Sequence, residues 1–170
     1  IFNAAIALKL DVKDLVCEAD SVMFCLSKAL SAPVGSIVCG DKDFIHKTRK
    51  WRKMVGGGMR QSGHLAAAGI IALNDLTDRL KEDHSNAQKL AQGLARLKRI
   101  VLKPELIKTN IIFFSLEHSN IKPETFLENL EAQGIKILMI HEGVFRIVLH
   151  REISETQVEL VIKAMKEITK

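Results

Sequence analysis

Apolar positions along the chain fall into two regimes. In the first half, two short apolar runs, residues 22–26 and 34–39, are joined by small residues and a proline and read as buried strands. Helical spacing surrounds them. The opening places Ile1, Phe2, Ala4, Ala5, Ala7 and Leu8 in a helical-looking pattern, and residues 9–20 mix charges with Val12, Leu15 and Val16 as a connector or short helix. Asp41 caps a predicted helix to about Val55, in which Phe44, Thr48, Trp51 and Val55 make one apolar stripe, so Trp51 is expected in the core. Gly56-Gly57-Gly58 ends that helix. Residues 65–73 are small and apolar on all sides, which predicts a buried helix, and from Asp75 the series Leu76, Leu80, His84, Ala87, Leu90, Leu94 and Leu97 predicts a long one of about six turns.

After Pro104 the elements become short and alternate. Residues 110–116 read as a strand. Pro123 opens a helix with Phe126, Leu127 and Leu130 inward and Gly134 as its stop, and residues 135–140 and 144–150 read as strands around a His141-Glu142-Gly143 turn. Ser154 and Gln157 form a capping box for a last helix with Val158, Val161, Ile162, Met165 and Ile168 on one face. The pattern predicts an α/β protein in which the long helix links two parts, residues 1–97 and a small α/β domain over residues 98–170 with helices packed on a sheet.

At 170 residues and 47% hydrophobic content, the chain can bury a core. It opens on Ile1 without methionine or cap, which reads as a start inside a larger protein. No signal peptide is expected, and no apolar run approaches the roughly 18 residues of a membrane span, so a soluble, cytoplasmic protein is expected. Three cysteines, Cys17, Cys25 and Cys39, without CxxC spacing point to a reducing compartment and no structural metal. The net charge of +5 permits an anionic partner.

Four features carry candidate chemistry. Lys28 lies between the two apolar runs with no acid within seven residues, so desolvation would favour the neutral amine that attacks carbonyls; the alternative is an ordinary loop lysine. Arg146 alternates with Phe145, Ile147 and Leu149 in its strand and shares a face with Val144, Val148 and His150, a setting that calls for an anion such as a carboxylate unless the arginine simply faces water. The turn from Gly56 to Arg60 is either a phosphate cradle of backbone N–H groups or a glycine hinge. The basic run 47–53, with Trp51 turned to the core, reads as a solvated face rather than a nucleic-acid surface. The six histidines, His46, His64, His84, His118, His141 and His150, show no metal-ligand spacing.

Taken in order, the segments Ile1-Phe-Asn-Ala-Ala5, Ser27-Lys28-Ala-Leu-Ser-Ala-Pro-Val-Gly-Ser36, Lys53-Met-Val-Gly-Gly-Gly-Met-Arg-Gln61 and Phe145-Arg-Ile-Val-Leu-His150 resemble the threonine aldolase family, pyridoxal-phosphate enzymes of fold type I. The resemblance implies that the chain corresponds to the C-terminal half of such an enzyme: the later part of the large cofactor domain plus the small domain. It implies Lys28 as the Schiff-base lysine for pyridoxal 5'-phosphate and Arg146 as the substrate-carboxylate arginine. Lys53 and Arg60 would reach the cofactor phosphate of a neighbouring subunit in a dimer or tetramer. The implied reaction cleaves threonine or allo-threonine to glycine and acetaldehyde. The family's Asp-Gly-Ala-Arg segment, its ring-stacking histidine and its main phosphate loop precede the matched region, so the chain alone is expected to be inactive. Another fold-type-I activity, or a non-catalytic remnant of the fold, is the alternative. A small amino acid is the expected ligand, with no nucleic acid and no membrane as partners.

Overall fold

Local signals fix the start of the chain. The computed structural model describes residues 1–117 and 121–170, so His118 lies outside the described residues. α1 (Phe2–Leu8) ends at Lys9 in the left-handed region, φ 57°. α2 (Val12–Leu15) starts where the Lys13 N–H donates to Asp11 Oδ1 at 2.8 Å. β1 (Ser21–Cys25) and β2 (Ser36–Gly40) pair antiparallel, with Val22 opposite Cys39 and Cys25 opposite Ser36. α3 (Lys42–Met54) is capped as its sequence predicts, the Phe44 N–H donating to Asp41 Oδ1 at 2.7 Å. α4 (Gly63–Asp75) follows.

The chain divides into two units, Ile1–Leu80 and Lys81–Lys170. The first has a small core of Leu26, Leu30, Ala32, Ala72 and Leu80, against which Phe2, Ile6 and Phe24 pack; the rings of Phe2 and Phe24 meet edge to face at 5.2 Å. Several expectations of burial fail in this unit. The two runs read as buried strands form a two-stranded ribbon with no residue of β1 or β2 fully buried, and Met23 is 61% exposed. Trp51 is 62% exposed instead of joining the core, and α4 buries only Gly69 and Ala72. These residues have apolar side chains, but the elements of this unit supply no layer over them.

The second unit is more fully packed. α5 (Leu80–Leu94) starts at the division, and β3 (Ile100–Val101), β4 (Ile111–Leu116), α6 (Pro123–Glu131), β5 (Leu138–His141), β6 (Val144–Val148) and α7 (Glu155–Ile168) follow. The sheet has the order β3-β4-β6-β5 and is antiparallel throughout. Its inward face carries Ile112, Phe114, Phe145 and Ile147, which join Leu90, Leu94, Phe126, Leu130, Val158 and Met165 in one core. Phe114, Phe126 and Phe145 form a ring cluster with centroids 5.1–6.2 Å apart. Asn110, buried, donates from Nδ2 to the Leu149 carbonyl at 2.7 Å and ties the start of β4 to the end of β6. The Ser154–Gln157 capping box of α7 is present.

Two boundaries differ from the sequence reading. The periodicity from Asp75 runs through a turn, so α5 begins at Leu80, and the helix packs with the second unit instead of closing the first at residue 97. Ala87, Leu90, Ala91 and Leu94 all point into the second core, which accounts for the division. β3 and a 3-10 turn at Pro104–Leu106 were too short to carry a period of their own.

Candidate functional site

Lys28 sits on the connection between β1 and β2, and the loop is pinned on both sides of it. The Leu26 N–H donates to the Gly35 carbonyl at 2.9 Å and the Ala32 N–H to the Leu26 carbonyl at 3.0 Å, while Leu26, Leu30 and Ala32 are buried. Within this clamp the Ser31 N–H donates to the Lys28 carbonyl at 2.9 Å, closing a four-residue turn with Ser31 at φ 59°. The lysine is therefore held by its backbone, and its side chain is exposed. This overturns the expectation of a desolvated amine. The neighbours that made it look buried are neighbours in sequence, and they turn inward while it turns out. Among the described residues Lys28 makes no ion pair, and it lines a cavity of about 300 Å³ together with Phe2, Asn3, Phe24 and Cys25.

The glycine turn begins as the cap of a helix. Gly56, at φ 84°, ends α3: its N–H donates to the Lys53 carbonyl at 3.2 Å and the Gly57 N–H to the Arg52 carbonyl at 2.8 Å. These two bonds are a Schellman cap, so two of the amides expected to cradle a phosphate are committed to the helix end. What the turn does offer is cationic. Arg52 and Lys53 occupy the last turn of α3, and Lys53 and Arg60 are both exposed. The Lys53 side chain lies across Gly58, where a Cβ would meet its Cδ at 2.9 Å.

Arg146, in the second unit, has a different environment. β6 alternates as the sequence predicts: Phe145, Ile147 and Leu149 are buried, and Arg146 lies on the opposite face with Val144 and Val148. The Nε of Arg146 is buried, and among the described residues it has no hydrogen-bond partner. A buried donor left unmade costs about 1–3 kcal/mol, more when it belongs to a charged group, so the arrangement calls for an acceptor. The sequence reading missed the two residues that flank it. Phe113 on β4 and Leu138 on β5 are the cross-strand partners of Arg146, and both lie on its face. Parity along β4 already set Phe113 against Ile112 and Phe114, but only the strand order shows which residue it faces.

Other titratable groups are placed apart from these. His84, half-buried on α5, has its pKa lowered by burial, partly offset by the neighbouring Asp83 carboxylate. Among the described residues no group of three or more His, Cys, Asp or Glu side chains could hold a metal ion, and no helix is long and apolar enough to cross a membrane.

The fold and these residues can be set beside known proteins. Residues 1–117 match the beta-eliminating lyase family. The chain belongs to that family. This lyase-family chain is 41% identical to low-specificity L-threonine aldolase 1 of Arabidopsis thaliana, over 98% of the chain and 47% of that protein. It is 40% identical to the low specificity L-threonine aldolase of Escherichia coli K12, over 92% of the chain and 45% of that protein. It thus spans about half the length of the curated relatives it matches. Among solved structures, the serine palmitoyltransferase of Sphingomonas wittichii superposes with a TM-score of 0.73 at 19% identity, over 91% of this chain and 41% of that one. The fold is that of the fold-type-I enzymes dependent on pyridoxal phosphate, as expected.

Proposed function

We propose that this chain is part of a pyridoxal-phosphate-dependent lyase that cleaves L-threonine or L-allo-threonine to glycine and acetaldehyde, and that the parent protein carries the activity. The family match and the identity to two proteins named low-specificity L-threonine aldolases support the reading. The single structural observation behind it is the buried, unpartnered Nε of Arg146, which needs an anion of the kind an amino-acid carboxylate provides.

The residues fit the cofactor in chemical type. Lys28 offers an exposed amine on a backbone-pinned turn beside a cavity of about 300 Å³ with the aromatic rings of Phe2 and Phe24 in its lining, which suits an aldehyde on a flat ring. Lys53 and Arg60 offer cations for a phosphate, the donors of a neighbouring copy serving in the assembled dimer or tetramer. When bound, pyridoxal phosphate supplies an aldehyde that condenses with amines and a ring that accepts the electron pair of the breaking Cα–Cβ bond. Lys28 would be the residue that holds the cofactor through that aldehyde. Arg146 binds the substrate carboxylate and so orients the amino acid.

Borohydride reduction of the protein mixed with pyridoxal phosphate, followed by peptide mapping, tests the assignment of Lys28. A single tag on Lys28, lost in Lys28→Ala, is expected; tags spread evenly over the surface lysines refute it. Acetaldehyde release from threonine by the parent protein, absent from these 170 residues alone, is the corresponding activity measurement.

A further inference from the structure

The face of the second sheet that carries Arg146 is apolar around it. Phe113 and Leu138 are its direct cross-strand partners on either side, so the three side chains form a row across β4, β6 and β5. Directly opposite residues place their Cβ atoms about 4.5–5.5 Å apart, within reach of one another's side chains. Val144 and Val148 extend the same face along β6, and His141, paired with Val144, is the other titratable side chain among these cross-strand partners.

Phe113 is 52% exposed and Leu138 is 55% exposed, so neither is retained for the core. Yet the Arg146 Nε is closed off from water. A guanidinium presents two edges that match a carboxylate, one made by its two Nη groups and one by Nε with an Nη. Nε is the buried atom of the guanidinium that lacks an acceptor, and it lies on the second of these edges. We propose that Phe113 and Leu138 are positioning residues: they wall the Arg146 guanidinium so that a planar carboxylate is taken side-on, through Nε–H and one Nη–H. Apolar walls of this kind strengthen the ion pair by excluding water. The inference rests on the reading of Arg146 as the carboxylate site given above and adds the residues that set its geometry.

Titration with glycine at constant ionic strength, followed through the Arg146 Nε–H resonance in ¹H–¹⁵N spectra, tests it. Arg146→Lys assigns the signal by its loss. The unaltered chain should show a saturable shift of Nε–H. Phe113→Ala and Leu138→Ala should each weaken glycine binding about 2- to 5-fold, the size of one apolar wall contact, with Phe113→Leu restoring most of the Phe113 loss. Both side chains are exposed, so the variants should keep the fold, and circular dichroism melts would verify that. Equal affinity in the alanine variants, or a shift confined to the Nη groups, overturns the proposal and leaves Arg146 as the carboxylate site. No response of any Arg146 N–H in the unaltered chain refutes the underlying reading as well.

Discussion

Replacing Arg146 by methionine isolates what the unpartnered donor costs. The substitution keeps a long apolar stem between Phe113 and Leu138 and deletes the buried Nε. An unsatisfied buried N–H is worth about 1–3 kcal/mol, and since the rest of Arg146 is only half-buried, the low end applies. Arg146→Met should therefore stabilise the second unit by about 1 kcal/mol in the absence of ligand. For a unit of the size of Lys81–Lys170 this corresponds to a rise in Tm of about 4–8 °C. Fluorescence is the wrong assay, because the only tryptophan, Trp51, lies in the first unit. Amide hydrogen exchange at Ile112 and Phe145, both fully buried on the inward face of the sheet, reads the second unit directly. Destabilisation by 1 kcal/mol or more would show that the guanidinium already has its acceptor within the protein, and the argument for an anion site would fall with it. The same substitution should abolish carboxylate binding, so stability and function are expected to move in opposite directions.

Other consequences can be checked separately. Phe126→Ala removes one ring of the cluster with Phe114 and Phe145, and should cost about 3–5 kcal/mol by urea unfolding. Gly56→Ala should cost about 1 kcal/mol in thermal melts: a Cβ there meets nothing within 4 Å, so the penalty comes from φ 84° alone, and an unchanged Tm would show that the Schellman cap does not hold α3. His84, with a folded pKa below its ordinary 6.5, contributes stability that is fully present above that value. As pH falls, the unfolded chain protonates first, and stability declines until the folded pKa is passed. His84→Gln should flatten the difference in Tm between about pH 7.5 and pH 5.5; an undiminished difference would assign the pH dependence to another group.

How much of this was legible beforehand depended on whether the signal was local. Asp41, Ser154 and Gln157 act on amides three residues away, and the starts of α3 and α7 were read from them directly. The parity of Phe145, Arg146 and Ile147 on β6 was equally plain, because one strand suffices to define two faces. Met23, Trp51 and Ile70 show the limit. Their apolar character records a tendency to be covered, and no spacing says which element does the covering; here they stand exposed. Lys28 failed in the complementary way, since its apolar neighbours in sequence are carried inward by the clamp at Leu26 and Ala32 that turns the lysine out. The amides of Gly56 and Gly57 could not be assigned from composition, because a glycine turn gives the same letters whether its donors serve a ligand or the preceding helix.

The hairpin between β5 and β6 has a significance beyond its size. His141 pairs with Val144 across Glu142 and Gly143, the latter at φ 74°, and the register shifts between Met139 and His141. A strand has only two sides, so a slip of one residue would exchange Arg146 for Phe145, driving a cation into the core and an aromatic ring to the surface. The turn thus acts as a reading frame for β6, and a single-residue insertion or deletion there would erase the proposed anion site while leaving every residue of that site in the sequence.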